Sequence, residues 1–316
     1  MNHTLEQVLS KVQKPARYTG GEYNAVVKDK SEVSLRFALC FPDTYEIGMS
    51  NLGCRILYGV MNQRPEVWCE RCFAPWGDME EEMRREGLLL YGLESGDPIA
   101  EFDIIGFSLG YEMAYTNVLN MLDLAGLELR SQDRRELTPL VVAGGTCCYN
   151  PEPLAPFVDF FVLGEGEDVT LEYIDLYRQA RDEGWSKEEF LEEAAKIEGI
   201  YVPSLYKPVY RADGTLEEVK ALEGAPELVT KRIVQDMDKA YFPVKTIIPS
   251  TEIVHDRVML ELFRGCIRGC RFCQAGYAYR PVRSRSPELL ARYGKEACED
   301  SGYQEMTLSS LSSTDY

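Results

Sequence analysis

From Ser34 onward, short apolar runs alternate with stretches whose apolar residues recur at helical spacing, the pattern of strands and helices wound around a parallel sheet. Five βα units are expected. Ser34–Phe41 (SLRFALCF) predicts a strand and Met49–Asn62 a helix; Val67–Phe73 predicts a second strand, followed by an acidic helix over Asp78–Arg85. Asp103–Leu109 (DIIGFSL) is almost continuously apolar, as a strand buried on both faces requires, and Met113–Ala125 returns to helical spacing. Leu140–Ala143 and Asp159–Leu163 complete the strands, and Glu167–Ala180 is the last helix of the set. A ligand of such a domain sits beyond the carboxyl ends of the strands, which here read Pro42-Asp43, Ser108, Gly144-Gly145 and Gly164-Glu165-Gly166.

After about Ser186 the pattern changes to a short acidic helix (SKEEFLEEAAKI), a hairpin closed by Asp213-Gly214, and several prolines. A strand–loop–helix unit then begins. Arg257–Phe263 reads as a strand, Arg264–Arg285 as a loop rich in Gly, Cys and Arg, Ser286 as the cap of a helix starting at Pro287, and Gln304–Ser309 as the next strand. The expected organisation is an N-terminal helical segment (1–30), a Rossmann-like parallel α/β domain (31–185), a connecting subdomain (186–250), and the unit from 251 to 316.

The 316 residues are 45% hydrophobic, sufficient for more than one core. A net charge of −18 argues against a general nucleic-acid or anionic-membrane binder. No apolar run approaches the roughly 18–20 residues of a membrane span, and MNHTLEQVLSKVQK lacks the apolar stretch of a signal peptide, so a cytoplasmic location away from membranes is expected. In that setting the ten cysteines read as reduced thiols or metal ligands rather than a disulfide framework.

Three of them cluster. Arg264-Gly-Cys266-Ile-Arg-Gly-Cys270-Arg-Phe272-Cys273 places thiols at Cys-x3-Cys-x2-Cys directly after a strand. Three ligands on one short loop suit three irons of a cubane cluster and leave the fourth iron without a protein ligand. The alternative is a non-catalytic zinc module, with His255 or Cys298 completing a tetrahedral set, although zinc motifs usually come as two close pairs. Eight arginines between Arg257 and Arg292 against Glu261 and Glu288 give this region a local charge of +6, suited to a carboxylate, an anionic cluster or a nucleic-acid backbone.

The cysteine spacing, with Phe272 directly before the third Cys, resembles the signature of the radical S-adenosylmethionine (SAM) enzymes. The resemblance implies a [4Fe-4S] cluster on Cys266, Cys270 and Cys273 and SAM bound at the open iron. Reduction there cleaves SAM to a 5′-deoxyadenosyl radical, with Phe272 packing near the adenine. The first domain resembles the cobalamin-binding domain that precedes many radical SAM barrels, through Asp43-x-Tyr45-x-x-Gly48, Ser108-Leu109, Gly144-Gly145 and Gly164-Glu-Gly-Glu167. It implies cofactor contacts from Asp43, Gly48, Ser108, Gly144 and Gly145. Cobalamin-ligating members have His where Tyr45 stands, so either cobalamin binds without that lower ligand or the domain has lost it. Together with PDTYEIGMSNLG and VHDRVMLELFRGCIRGCRFCQAG, these segments resemble an uncharacterised family of radical SAM proteins with a cobalamin-binding-like N-terminal domain.

The resemblance implies a Rossmann-like domain followed by the first part of a radical SAM (β/α) partial barrel. About six βα units of ~30 residues would be needed for such a barrel, whereas Val258 to Tyr316 supplies 316 − 258 + 1 = 59 residues. The chain is therefore expected to be inactive alone and to hold the segment after Ser250 loosely, and either a C-terminal half acts as partner and completes the barrel or the chain is a fragment of a longer one. Arg280-Pro-Val-Arg283-Ser-Arg285-Ser resembles the Arg-rich segment of radical SAM methylthiotransferases, which makes an RNA or small-molecule substrate, and methyl or methylthio transfer, the expected range of chemistry.

Rival motifs are weaker. Gly106-Phe-Ser108-Leu-Gly110 fits a hydrolase nucleophile elbow, but the triad histidine would have to be His255, since His3 precedes the serine. Cys69-Glu-Arg-Cys72 has redox spacing on a strand and reads as two ordinary thiols. Cys40, Cys147 and Cys148 lie near strand ends, where a second cluster would need a third ligand at the position of Ser108. Gly164-Glu-Gly-Glu167 lacks the third glycine of a dinucleotide fingerprint.

Overall fold

The computed structural model describes residues 3–316; Met1 and Asn2 of the N-terminal segment, and the side chain of His3, lie outside the described part. The first elements are α1 (His3–Leu9), β1 (Leu35–Phe41), α2 (Tyr45–Gly48), α3 (Leu52–Asn62), β2 (Val67–Phe73), α4 (Gly77–Glu86), β3 (Ile104–Ser108), α5 (Tyr115–Leu124), β4 (Leu140–Gly144), β5 (Phe160–Val162), α6 (Gly166–Glu183), α7 (Lys187–Ala194) and β6 (Ile200–Tyr201). They build a six-stranded sheet in the order β2-β1-β3-β4-β5-β6, parallel except for β6 against β5. The strands are largely apolar, as a sheet buried on both faces requires: every residue of β2 except Phe73 is buried, including the charged Glu70 and Arg71, and Phe37, Phe107, Phe160 and Phe161 fill the centre. Burying each such side chain contributes about 1.5–3 kcal/mol.

Local signals set the helix ends, with α3 starting at Leu52 rather than Met49 and α6 running past Ala180 to Glu183. The Asn51 side chain accepts the Cys54 amide at 2.9 Å to start α3, Ser186 and Glu189 form a reciprocal capping box on α7, and α4 and α6 stop at left-handed Gly87 and Gly184. The strand order reverses between β1 and β3, which makes their carboxyl ends the natural ligand crevice.

The hairpin turning at Asp213-Gly214 is β7 (Tyr206–Tyr210) and β8 (Leu216–Ala221). The last unit comprises β9 (Val258–Glu261), β10 (Phe263–Arg264), α8 (Ala275–Ala278), β11 (Arg283–Ser284), α9 (Pro287–Ser301) and β12 (Met306–Ser309). β9 and β12 pair in parallel, with α9 packed over β9, and Val258, Leu260, Phe263, Leu290 and Ala297 form a second, smaller core with Phe242. Ser286 occupies the N-cap of α9 without a capping bond from its side chain; its amide donates to Asp238 instead.

The segment after Ser250 is not loosely held. Leu52 of α3 touches the smaller core, and buried ion pairs, detailed below, fasten the cysteine loop to the sheet unit.

Candidate functional site

A cavity of about 600 Å³ opens at the carboxyl edge of the sheet, between the sheet unit and the last unit. Ser108 ends β3, Gly144-Gly145-Thr146 follow β4, and Gly164 to Glu167 lead into α6; all line one side. From the other side come His255 ahead of β9, Met259 and Glu261 of β9, then Arg264, Gly265 and Tyr279, with Ser309 and Ser310 at the end of β12. Ser108, Gly144 and Gly145, three of the five cofactor positions expected in the first domain, are thus brought together and placed opposite the base of the cysteine loop.

Asp43 and Gly48 stand apart from this lining. The Asp43 carboxylate accepts the Tyr111 hydroxyl at 2.5 Å and the Thr44 amide at 2.7 Å, a bridge across the β1/β3 crevice. A side chain at Gly48 would collide with the Phe73 ring, so that glycine serves packing. Tyr45, at 1% exposure, lies in the core against the Phe73 edge. Gly145 has φ of 109°, and a Cβ there would sit 2.5 Å from the Leu109 carbonyl oxygen; close approach of backbone to backbone demands glycine here.

The three thiols lie on the loop between β10 and α8, which turns at left-handed Gly265 and Gly269. Cys270 is exposed, and Cys266 and Cys273 are half-buried; none is in a disulfide. The Arg268 amide points at the Cys266 sulfur and the Gly276 amide at the Cys273 sulfur, each at 3.4 Å. Free thiols served by backbone amides are a donor set that suits an iron–sulfur cluster. Among the described residues no group of three His, Cys, Asp or Glu side chains stands arranged to hold a metal ion. Phe272 is 92% exposed and is not part of the cavity lining. The far end of the loop is anchored: Tyr279 bonds Thr146 through their hydroxyls at 2.5 Å, and the Tyr149 hydroxyl donates to the Ala278 carbonyl at 3.1 Å.

The arginine-rich region is largely committed internally. Arg264 meets Glu167 at 2.5 Å, Glu261 at 2.8 Å and Glu165 at 3.4 Å, while Arg283 grips both oxygens of Glu165 at 2.7 Å. Arg285 is enclosed, donating to the Met237 and Ala240 carbonyls and reaching Glu261 at 3.3 Å. Burial pushes the Glu165 carboxyl up, but the Arg283 bonds, the Arg264 charge and the Val234 amide together hold it below the ordinary carboxylate value. Burial likewise works against charge on Arg264, and Glu167 and Glu261 more than restore it. Glu165 and Glu167 are the residues that sequence reasoning missed as partners of the loop; the available signal was a +6 segment in a −18 chain, which calls for acids elsewhere.

The rival motifs do not assemble. Among the described residues only Lys14 and Asn24 adopt positive φ outside glycine, so Ser108 lacks the strained backbone of a nucleophile elbow. Cys40, Cys69 and Cys72 are buried in the sheet. Burial pushes the Cys147 thiol up to about 11, with Glu112 adding to the effect.

Residues 53–203 match the family model of the N-terminal region of radical SAM proteins. The match falls within the sheet unit and ends ahead of the cysteine loop. An uncharacterized protein of Methanocaldococcus jannaschii is 27% identical over 285 residues, covering 88% of this chain and 50% of that protein. TsrM of Kitasatospora setae, a radical SAM methyltransferase solved with cobalamin and a [4Fe-4S] cluster bound, has the same fold over 88% of this chain and 48% of its own, at a TM-score of 0.51 and 12% identity. The chain spans about half the length of the proteins it matches. The resemblance to radical SAM proteins therefore holds in sequence over the sheet unit and in fold over most of the chain.

Proposed function

We propose that this chain is the cofactor-holding portion of a radical SAM enzyme, with Cys266, Cys270 and Cys273 as ligands of a [4Fe-4S] cluster. The carrying observation is the shared cavity, in which the strand ends of a Rossmann-like sheet face the base of a three-thiol loop. When bound, such a cluster supplies the electron that cleaves SAM, the hard chemistry that the protein itself does not perform. The protein's part is placement. Gly265 and Gly269 let the loop turn, the Thr146–Tyr279 bond fixes its far end, and Ser108, Gly144 and Gly145 line space for a second cofactor.

A corrinoid suits that space, since TsrM, with the same fold, holds cobalamin. Tyr45 cannot serve as its lower ligand from the core. No described helix is long and apolar enough to cross a membrane; the proposed setting is the cytoplasm, and an RNA or small-molecule substrate is proposed for the whole enzyme. The test is spectroscopic: adding SAM to the reduced, reconstituted protein should change the EPR signal of the cluster. An unchanged signal would contradict a cluster with an iron open to SAM.

A further inference from the structure

Arg264 and Arg283 stand directly opposite each other in the two-residue antiparallel ladder of β10 and β11 that closes the base of the cysteine loop. Like charges at directly opposed ladder positions are destabilising. Glu165 lies between them, within 2.7 Å of Arg283 and 3.4 Å of Arg264. Around it, Glu165, Glu167 and Glu261 balance Arg264, Arg283 and Arg285, and no side chain of the six is more than 15% exposed. A buried set of this kind is stable only when complete, because removing one partner leaves a desolvated charge.

The acids and the arginines come from distant parts of the chain. Glu165 follows β5 at the cavity edge, whereas Arg264 lies two residues ahead of Cys266 and Arg283 ten residues beyond Cys273. One carboxylate of the sheet unit therefore holds both ends of the thiol-bearing loop.

We infer that Glu165 is a positioning residue for the cysteine loop: its charge allows the opposed Arg264 and Arg283 to close the loop base at the edge of the cavity, and so fixes the two ends of the segment that carries the three thiols. The inference rests on the reading of this loop as the cluster-binding segment. It goes further in assigning the sheet unit a part in forming the loop.

The test uses the full chain without metal, comparing wild type, Glu165→Gln and Glu165→Gln with Arg283→Gln. Glu165→Gln keeps the shape and removes the charge. Hydrogen exchange in peptides covering 262–266 and 281–287 should quicken about tenfold or more in the single variant, as for loss of one partner from a buried ion pair, with β1 and β3 unaffected. The double variant, which also removes one of the opposed arginine charges, should return to within about threefold of wild type. Iron retained after anaerobic reconstitution should follow the same order. Unchanged exchange in the single variant, or a double variant as unprotected as the single, would overturn the inference. If no form, wild type included, takes up iron and sulfide, the cluster reading fails, while the exchange data still decide whether Glu165 closes the loop.

Discussion

The Tyr45 hydroxyl donates to Glu22 over 2.8 Å while accepting the Ser250 amide at 3.3 Å. Glu22 in turn is paired with Arg71 at 2.8 Å, and Arg71 with Glu94 at 2.6 Å. Burial pushes the phenol well above its ordinary value, and the neighbouring Glu22 charge adds to this, so the hydroxyl stays protonated as a donor. Tyr45 is thus a structural tie between the N-terminal segment, α2 and the end of the connecting segment at Ser250.

Tyr45→Phe should therefore cost about 1–2 kcal/mol, the price of leaving a buried carboxylate short of one donor and an amide short of its acceptor. Urea denaturation measures it. Tyr45→His should add no imidazole nitrogen splitting to the cobalt(II) EPR spectrum of protein incubated with cobalamin, because the side chain at 45 lies in the core rather than in the cavity.

Arg71→Met should be far more damaging. Burial opposes charge on Arg71, but Glu94 and Glu22 together raise its pKa, and its removal leaves two enclosed carboxylates facing each other. A loss of about 3–5 kcal/mol is expected from denaturant unfolding. Additionally exchanging Glu22 and Glu94 for Gln should recover part of it.

Much of the fold is legible in the chain because parallel strands covered on both faces are mostly apolar along their length, and the charges that interrupt them, such as Glu70 and Arg71, are few and paired. Val67–Phe73 forms a strand with the expected ends, and DIIGFSL contains β3 in full. The helix boundaries follow from Asn51, Ser186 and the left-handed glycines, whose chemistry is local. Gly48 and Gly145 read as sites of ligand approach, and each also has a packing reason invisible in the local sequence, the Phe73 ring for the one and the Leu109 carbonyl for the other. These reasons lie in other segments. The role of Glu165 is hidden for the same cause: nothing near Gly164-Glu-Gly-Glu167 says that its partners are Arg264 and Arg283, about a hundred residues later.

Acid should open the cysteine loop, and only well into the acid range. The Glu165 carboxyl titrates below its unfolded value in the folded protein, so its stabilising contribution is fully present above the ordinary value of 4.5 and is lost as pH falls through the lower, folded value. Exchange of the 281–287 peptide in metal-free protein, corrected for the intrinsic pH dependence, should be flat from pH 7 to about 5 and rise below about 4.5. In Glu165→Gln that rise should be diminished, since the remaining acids, Glu167 and Glu261, contact Arg264 and Arg285 rather than Arg283.

Ser108→Ala should leave no hydrolytic activity to lose. Its backbone is unstrained, and a serine-directed phosphonate should not label the wild-type protein at this position.

The iron and sulfide content of the chain after anaerobic reconstitution tests the central claim most directly. The account predicts about four irons and four sulfides per chain in the wild type, the content of a cubane, with most of both lost in Cys270→Ala. Stoichiometric zinc without sulfide, or iron and sulfide indifferent to Cys270→Ala, would contradict it.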